Sequence, residues 1–574
     1  MRTFSCDIET DGIDATVVWC IVVHNIDTDQ AITFAGPCLN LFKPWMESEA
    51  DRLIFHNGIS FDVPVLEKLL DIDFSDVLIE DTLVMSQLYK PRLDGGHSLS
   101  AWGDRLGFAK GDYEDWSKFT LEMLDYCIRD TKVTTKLYKY LLSNNLSDDA
   151  KQLEYSIKGQ CSLQEKTGWY FNLKDAVILL GDINEDLRVA EQKVHETFVP
   201  LPVWKSKKPV EQRFKADSTR TKYYQDEVDL GCHTNDDGNY GYWTYPELNL
   251  GSRQQVGRHL VHYGWKPTVL TETGLPKVDE TTLKGVDIPE AKIIARYLML
   301  QKRQGQISSW IDEYNHKTGR IHSRVHTMGT VTHRMSSSNP NLQQVTASGK
   351  EYGSQMRGLF TVPEGKVIVG ADLSGLELRC LAHYMKDPGY TKEILSGDIH
   401  TANQKAAGLS TRDESKRFIY AYLYGGGDDL IGKICGGGKV LGKKIKSDFL
   451  SNTPALATLR KKIEIASRKG WIKTLDGRKV YVRSPHSALN FLLQSAGSII
   501  AKRAWVIFHT LASDYDYKQL GVIHDEIQIE CDPSDADRIG GLVVEAMELT
   551  TNYYHLNCPI TGEYKIGKSW NETH

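Results

Sequence analysis

Several acidic residues stand out for what their spacing could do. In "FSCDIET", Asp7 and Glu9 are two residues apart, so a β-strand points both carboxylates to one face while Phe4, Cys6 and Ile8 take the other. In "FHNGISFDVPVL", Asp62 comes just before Pro64, where a helix can begin. In "DYCIRDTKV", Tyr126 and Asp130 lie four apart on one helix face. Clustered carboxylates repel one another and are tolerated where hard cations neutralise them. Two such cations about 4 Å apart can activate a water and stabilise a leaving oxygen, which is the chemistry of phosphodiester hydrolysis. A second set lies further along the chain. Asp372 closes the apolar run that starts "KVIVGADLSGLELRCLAHYM". In "GVIHDEIQIE", His524, Asp525 and Glu526 separate Val522 and Ile523 from Ile527 and Ile529. Asp-Glu is poor chemistry for a two-residue turn, which favours Asn-Gly or Gly-rich pairs because positive φ costs little there. A local rule broken without structural gain points to function. If both strands share a sheet, Asp372 and Asp525 meet as a second metal pair, and the tip carboxylates are expected to be exposed to metal and phosphate. Taken singly, each feature also has an ordinary reading: a solvated strand edge, a helix N-cap, a charged hairpin tip.

The elements that must hold these residues are legible in outline. "TFSCDIET" and "VVWCIVVHN" read as strands, and "RLIFHNG" as a third ending in an Asn-Gly turn. "TLEMLDYCIRDTKVTTKLYKYLL" carries a persistent apolar helical stripe. From about 150 to 195 the pattern is helical, broken by "KTGWYFN". Residues 198–250 are rich in Pro, Lys, Tyr, Asp and Gly without clear periodicity, and read as an inserted, loop-rich subdomain. "EAKIIARYLMLQKRQGQISSWI" resumes a strong helix, and from 320 onward strands and helices alternate. In "TRDESKRFIYAYLYGGG", Arg412, Lys416, Tyr420 and Tyr424 recur every four residues on one broad helical face, and Gly425–Gly427 end the helix. Arg and Lys suit a triphosphate; an aromatic suits a base.

A chain of 574 residues has room for two to four domains. No run of eighteen apolar residues occurs, so no membrane span is expected, and the N-terminus enters a strand pattern without an apolar signal region. Ten scattered cysteines with no Cys-x-x-Cys pair argue for reduced thiols in a cytoplasm rather than a disulfide framework or a zinc site. The net charge of −6 does not by itself suggest nucleic acid. The charge is uneven, however. From Lys439 to Arg483, thirteen basic residues face only Asp448, Glu464 and Asp476, an excess that favours a polyanion track.

Taken together, these motifs resemble known families over nearly the whole chain. The first carboxylate set resembles the 3′→5′ proofreading exonuclease domain of the DEDD superfamily, in its DEDDy form. That resemblance implies Asp7, Glu9, Asp62 and Asp130 as metal carboxylates and Tyr126 as the residue that orients the attacking water. "DLSGLELR", "TRDESKRFIYAYLYGGG" and "IHDEIQ" resemble motifs A, B and C of family A DNA polymerases. "GLELRCLAH", "GDIHT", "LDGRKV", "VRSPHSALN" and "LLQSAG" place the similarity among the replicative polymerases of T7-type bacteriophages.

The resemblance implies a multidomain α/β protein, a ribonuclease H-like exonuclease domain followed by a right hand of thumb, palm and fingers. The expected layout is exonuclease 1–147, thumb 148–320 with the insertion near 198–250, palm 321–390, fingers 391–485 and palm again 486–574. It implies two Mg²⁺ ions at each site. Asp372 and Asp525 would hold the polymerase pair with help from the Leu373 carbonyl, and Glu526 would sit beside the primer end. His400, Arg412 and Lys416 would contact the triphosphate. Glu377 and Tyr420 would close off the sugar 2′ side. Tyr424 would stack near the template base, while Arg334, Gln494 and His524 would read the minor groove, whose degeneracy suits a check of geometry without sequence preference. The implied partners are primer-template DNA, dNTPs and replisome helicase-primase, in a bacterial host cytoplasm.

The insertion departs from the T7-type pattern, in which a longer loop captures host thioredoxin as a processivity factor. Here the segment is shorter, and its first half is basic. Thioredoxin, duplex DNA, another partner, or none all stay open for it. Two rival functions are weighed. A single-subunit RNA polymerase shares the palm but fits neither the exonuclease set nor Glu377. A non-catalytic DNA-binding replication factor does not fit the presence of all seven carboxylates.

Overall fold

The computed structural model describes residues 1–109 and 111–574. The chain forms two compact units, one of Met1–Phe171 with Glu313–His574 and one of Asn172–Asp312.

In the N-terminal part of the larger unit, strand β1 (Thr3–Thr10) lies at the centre of a five-stranded sheet. It pairs antiparallel with β2 (Val18–Asn25), which pairs with β3 (Ala31–Ala35). On its other side β4 (Arg52–Phe55) and β5 (Leu78–Asp81) run parallel, giving the order β3-β2-β1-β4-β5. Strand β3 lies beyond the sequence expectation. It is a five-residue edge strand whose first three residues are exposed, which leaves little hydrophobic pattern to detect. Helix α1 (Asp62–Leu70) opens at Asp62. Helix α2 (Leu121–Leu142) is capped by Thr120, whose side chain accepts from the Met123 N–H. It buries Met123, Cys127, Val133, Leu137 and Leu141. A polar seam fixes its position over β1: the Ser5 hydroxyl donates to the Thr131 carbonyl at 2.8 Å and meets the Thr135 hydroxyl at 2.8 Å.

Helix α3 (Asp148–Thr167) belongs to this larger unit. A buried ion network holds it there. Glu154, fully buried, accepts from Arg478 and from Lys502 at 2.6 Å each, and Arg478 also pairs with Asp476 at 2.6 Å. The expected basic track from 439 to 483 therefore loses a member: Arg478 is a core residue, not a free cation. Lys446 is likewise paired with Asp428 at 2.9 Å.

In the smaller unit, α4 (Leu173–Thr197) packs along α6 (Pro289–Asp312), with Arg296 on Asp186 at 3.0 Å. The insertion between them is more ordered than its composition suggested. Strands β6 (Val203–Ser206), β7 (His233–Thr234) and β8 (Tyr240–Thr244) form a sheet in the order β6-β8-β7, beside helix α5 (Lys222–Asp229). Buried Glu227 ties helix to sheet by accepting from the Val210 N–H and the Tyr240 hydroxyl. Strands of two to five residues are too short to show a period of two.

The remainder of the larger unit is built on a four-stranded antiparallel sheet, β10-β11-β9-β12. Its strands are β9 (Val367–Leu373), β10 (Tyr517–Ile523), β11 (Glu526–Cys531) and β12 (Gly562–Gly567). Around it lie α7 (Leu376–Met385), α8 (Ile399–Ala407), α9 (Arg412–Leu423), α10 (Ala488–Leu511) and α11 (Ala536–Tyr553). One apolar cluster joins sheet and helices, from Val369 and Ile529 through Leu492 and Trp505 to Phe418. Helix α9 begins in a capping box, Thr411 with Glu414.

Candidate active sites

Two members of the first carboxylate set, Asp7 and Glu9, meet on β1. Oxygen atoms of Asp7 and Glu9 and the sulfur of Cys127 all lie within 4.8 Å of one another. The strand's alternation puts Ser5, Asp7 and Glu9 on the face that α2 covers. Glu9 and Asp130 are buried, whereas Asp7 keeps some access to solvent. Asp62 is 5 % exposed, and burial pushes its carboxyl up to about 7. Tyr126 sits one helical turn before Asp130, its ring beside those of Tyr113 and Trp116 at 6.0 and 5.9 Å. Cys127 went unread in the sequence; its Sγ is 3.6 Å from Asp7 Oδ2. Its position next to Tyr126 on a helix was the only available sign.

The second set converges on the β9–β11 junction. Asp372 faces Glu526 in the ladder, and the Leu373 N–H donates to the Asp525 carbonyl at 3.1 Å. This brings Asp372 and Asp525, far apart in the chain, to one end of one sheet. Their carboxyls feel each other. Asp372 is pushed up to about 7, first by burial of its surroundings and then by the charges of Asp525 and Glu526. Asp525 is pushed up to about 6 by burial and by Glu377. Crowded, protonation-prone carboxylates of this kind are what bound cations relieve, so the residues fit a divalent-metal centre.

The hairpin departs from the sequence expectation in two ways. Its loop residues are His524 and Asp525, since Ile523 pairs with Glu526 across the ladder. His524 takes the positive φ, 61°, that a two-residue loop usually gives to glycine. Glu526 is the first residue of β11 and is only 4 % exposed. The expectation that both tip carboxylates are exposed holds for neither in full: Asp525 is half-buried and Glu526 is buried. Glu526 accepts from Trp570 Nε1 and Gln528 Nε2 at 2.5 Å each, and pairs with His574 Nδ1 at 2.9 Å. Arg357 lies 3.9 Å away. All of these partners but Gln528 come from elsewhere in the chain, and no local pattern announces them.

The expected nucleotide-side residues gather on α7, α8 and α9. Glu377 Oε1 accepts from the Tyr424 hydroxyl at 2.8 Å and from Arg334 at 3.2 Å. Tyr420 is half-buried, and its hydroxyl is raised by burial and then by the charges of Glu377, Asp525 and Asp372. Its ring lies 6.3 Å from that of His400. Burial, followed by the charges of Arg412 and Lys416, holds the His400 imidazole below its usual range, so the three form one group. Asp398 organises them. It caps α8 through the His400 and Thr401 N–H groups and pairs with Arg412 Nε at 2.7 Å. The Asp-before-helix pattern in "GDIHT" was the signal for it. His524 is lowered mainly by burial and then by Arg334. Gln494 is held by the Thr332 hydroxyl at 3.3 Å. No helix among the described residues is long and apolar enough to cross a membrane.

This architecture has counterparts. Residues 225–572 match the family described as DNA polymerase family A. The DNA-directed DNA polymerase of Escherichia phage T7 is 33% identical over an alignment covering 98% of this chain and 99% of that protein. The DNA-directed DNA polymerase of Enterobacteria phage T3 is 33% identical over 99% of each chain. A solved structure, the POL domain of Pol1 from M. smegmatis in complex with DNA primer-template and dNTP, is similar in fold with a TM-score of 0.77. It covers 99% of this chain and 95% of that one at 17% identity. The chain belongs to DNA polymerase family A. Within that family it is a DNA-directed DNA polymerase of the T7 phage type, an activity that sets aside the RNA polymerase and non-catalytic alternatives.

Proposed function

We propose that the polymerase works at the β9–β11 junction and that a second, separate centre on β1 proofreads as a 3′→5′ exonuclease. The observation that carries this reading is the presence of two carboxylate clusters on two different sheets, each with its own helix-borne partners. The order β3-β2-β1-β4-β5, three antiparallel strands followed by two parallel ones, supports a ribonuclease H-like domain for the N-terminal part. Thumb, palm and fingers follow from 148 onward in this reading. Primer-template DNA and dNTPs are the substrates.

In the polymerase centre, Asp372, Asp525 and the Leu373 carbonyl would hold Mg²⁺, as Asp7, Glu9, Asp62 and Asp130 would in the exonuclease centre. Bound there, the cations supply positive charge to the attacking and leaving oxygens of phosphoryl transfer. Arg412 and Lys416 bind the triphosphate as cations, Arg412 leaving Asp398 as the phosphates arrive, and the His400 imidazole contacts the same phosphates. Glu377 and Tyr420 line the sugar and exclude a 2′-hydroxyl. Tyr424 stacks near the template base, and Arg334, Gln494 and His524 test the minor groove of the newest pair. Glu526, held by Trp570, Gln528 and His574, sits beside the primer end. In the exonuclease centre Tyr126 orients the attacking water.

The setting this reading implies is a phage replisome in a bacterial cytoplasm, alongside helicase-primase and with thioredoxin or another processivity factor at the insertion. One assay tests the two-centre reading. A primer with a mismatched 3′ end is offered with Mg²⁺ and all four dNTPs. The account expects removal of the mismatched nucleotide before extension. Direct extension of the mismatch, with no shortened product at any time, overturns the exonuclease half.

A further inference from the structure

The segment from Arg213 to Tyr224 combines exposed rings and cations. A small hairpin holds it: the Thr221 N–H donates to the Arg213 carbonyl at 2.9 Å, the Lys215 N–H to the Thr219 carbonyl at 2.8 Å, and Phe214 bridges to Arg220. Ser218 turns the chain with φ 63°. Tyr224 anchors one side, with the Arg213 and Arg220 guanidiniums 5.4 and 5.8 Å from its ring centre and Phe214 edge-on at 5.5 Å. Beside this scaffold, Phe214 is 53% exposed and Tyr223 72% exposed. From 205 to 222 seven basic residues oppose two acidic ones, Glu211 and Asp217. Asp217 is engaged by the Thr219 N–H and hydroxyl.

Cations alone would suit a duplex backbone, as the sequence suggested. The exposed rings change that reading. In a duplex the bases are already stacked on one another and offer no face, whereas in a single strand every base has a face free for an aromatic ring. The phosphates of either form take Arg and Lys equally. A solvated loop needs neither feature, and an acidic peptide would use the cations without the rings. We propose that the Arg213–Tyr224 segment binds single-stranded DNA, with Phe214 and Tyr223 stacking on bases and Arg213, Lys215, Arg220 and Lys222 taking phosphates. The proposal does not depend on how the two catalytic centres are assigned.

The test uses the full chain and fluorescently tagged oligodeoxynucleotides, single-stranded and duplex, of equal length. Phe214→Ala with Tyr223→Ala should weaken single-strand binding by about thirtyfold or more while leaving duplex binding unchanged. Replacing Arg213, Lys215, Arg220 and Lys222 by Gln should flatten the salt dependence for single strands by about 0.7 in log–log slope for each phosphate that is no longer neutralised. Equal weakening for single strand and duplex, or none for the single strand, overturns the proposal. So does competition by poly-glutamate as effective as that by single-stranded DNA. Tyr223→Ala alone guards against misfolding, because that ring is largely in solvent. A second readout needs no variant: photocrosslinking of a single strand carrying 5-iododeoxyuridine should yield adducts in the peptide that contains Phe214 and Tyr223. Adducts confined to other peptides would contradict the assignment.

Discussion

Tyr424 donates its phenolic hydrogen to Glu377 Oε1 across 2.8 Å, joining the C-terminal end of α9 to the first turn of α7. Arg334 reaches the same oxygen at 3.2 Å. One carboxylate thus organises the residue assigned to the template base, the residue assigned to the minor groove and the wall assigned to the sugar.

The first prediction concerns that wall. Glu377→Ala removes the group proposed to exclude a 2′-hydroxyl, so ribonucleotide incorporation relative to deoxynucleotide should rise by about tenfold or more, corresponding to about 1.4 kcal/mol. Tyr424→Phe loses the same hydrogen bond but leaves the wall in place, so its sugar discrimination should stay near wild type. Competitive incorporation from mixed pools measures both ratios. An unchanged ratio in Glu377→Ala would remove the residue from the sugar site.

Tyr420 supports a second prediction. A dideoxynucleotide lacks the 3′-hydroxyl that would sit near its own phosphate oxygens, and a phenol at this position can supply the missing hydrogen bond. Leaving a partly dehydrated acceptor unpartnered costs about 1–3 kcal/mol. The wild-type enzyme should therefore incorporate dideoxynucleotides nearly as well as deoxynucleotides, and Tyr420→Phe should discriminate by about tenfold for each 1.4 kcal/mol lost. If Tyr420 only packs α9, both rates fall together and the ratio stays constant.

The third prediction is about stability. Glu154→Ala leaves the buried side chains of Arg478 and Lys502 without their shared carboxylate. Breaking a buried pair from one side costs about 3–5 kcal/mol. The denaturation midpoint of the larger unit should fall accordingly in urea titrations. A midpoint equal to wild type would mean that water or a neighbouring group replaces the carboxylate at no cost.

Local spacing carried much of this molecule into the sequence. Asp7 and Glu9 needed only the two-residue alternation of a strand, and Arg412, Lys416, Tyr420 and Tyr424 needed only the four-residue recurrence of a helix. The meeting of Asp372 with Asp525 needed the further step that their strands share a sheet, which the ladder between β9 and β11 supplies. What escaped was non-local or too short. Glu526 looked exposed because its partners Trp570, His574 and Arg357 stand elsewhere in the chain. Arg478 looked like part of a DNA track because charge counting cannot tell a core cation from a surface one. Strands β6, β7 and β8 hold too few residues each to reveal alternation.

The central claim is that two carboxylate centres act independently, and one paired measurement tests it most directly. Asp7→Ala combined with Glu9→Ala, and separately Asp372→Ala, are assayed for primer extension and for 3′→5′ degradation in Mg²⁺, with folding checked by circular dichroism. The account predicts that the first variant loses degradation and keeps extension, and that the second loses extension and keeps degradation. A folded variant of either kind that loses both activities would contradict it.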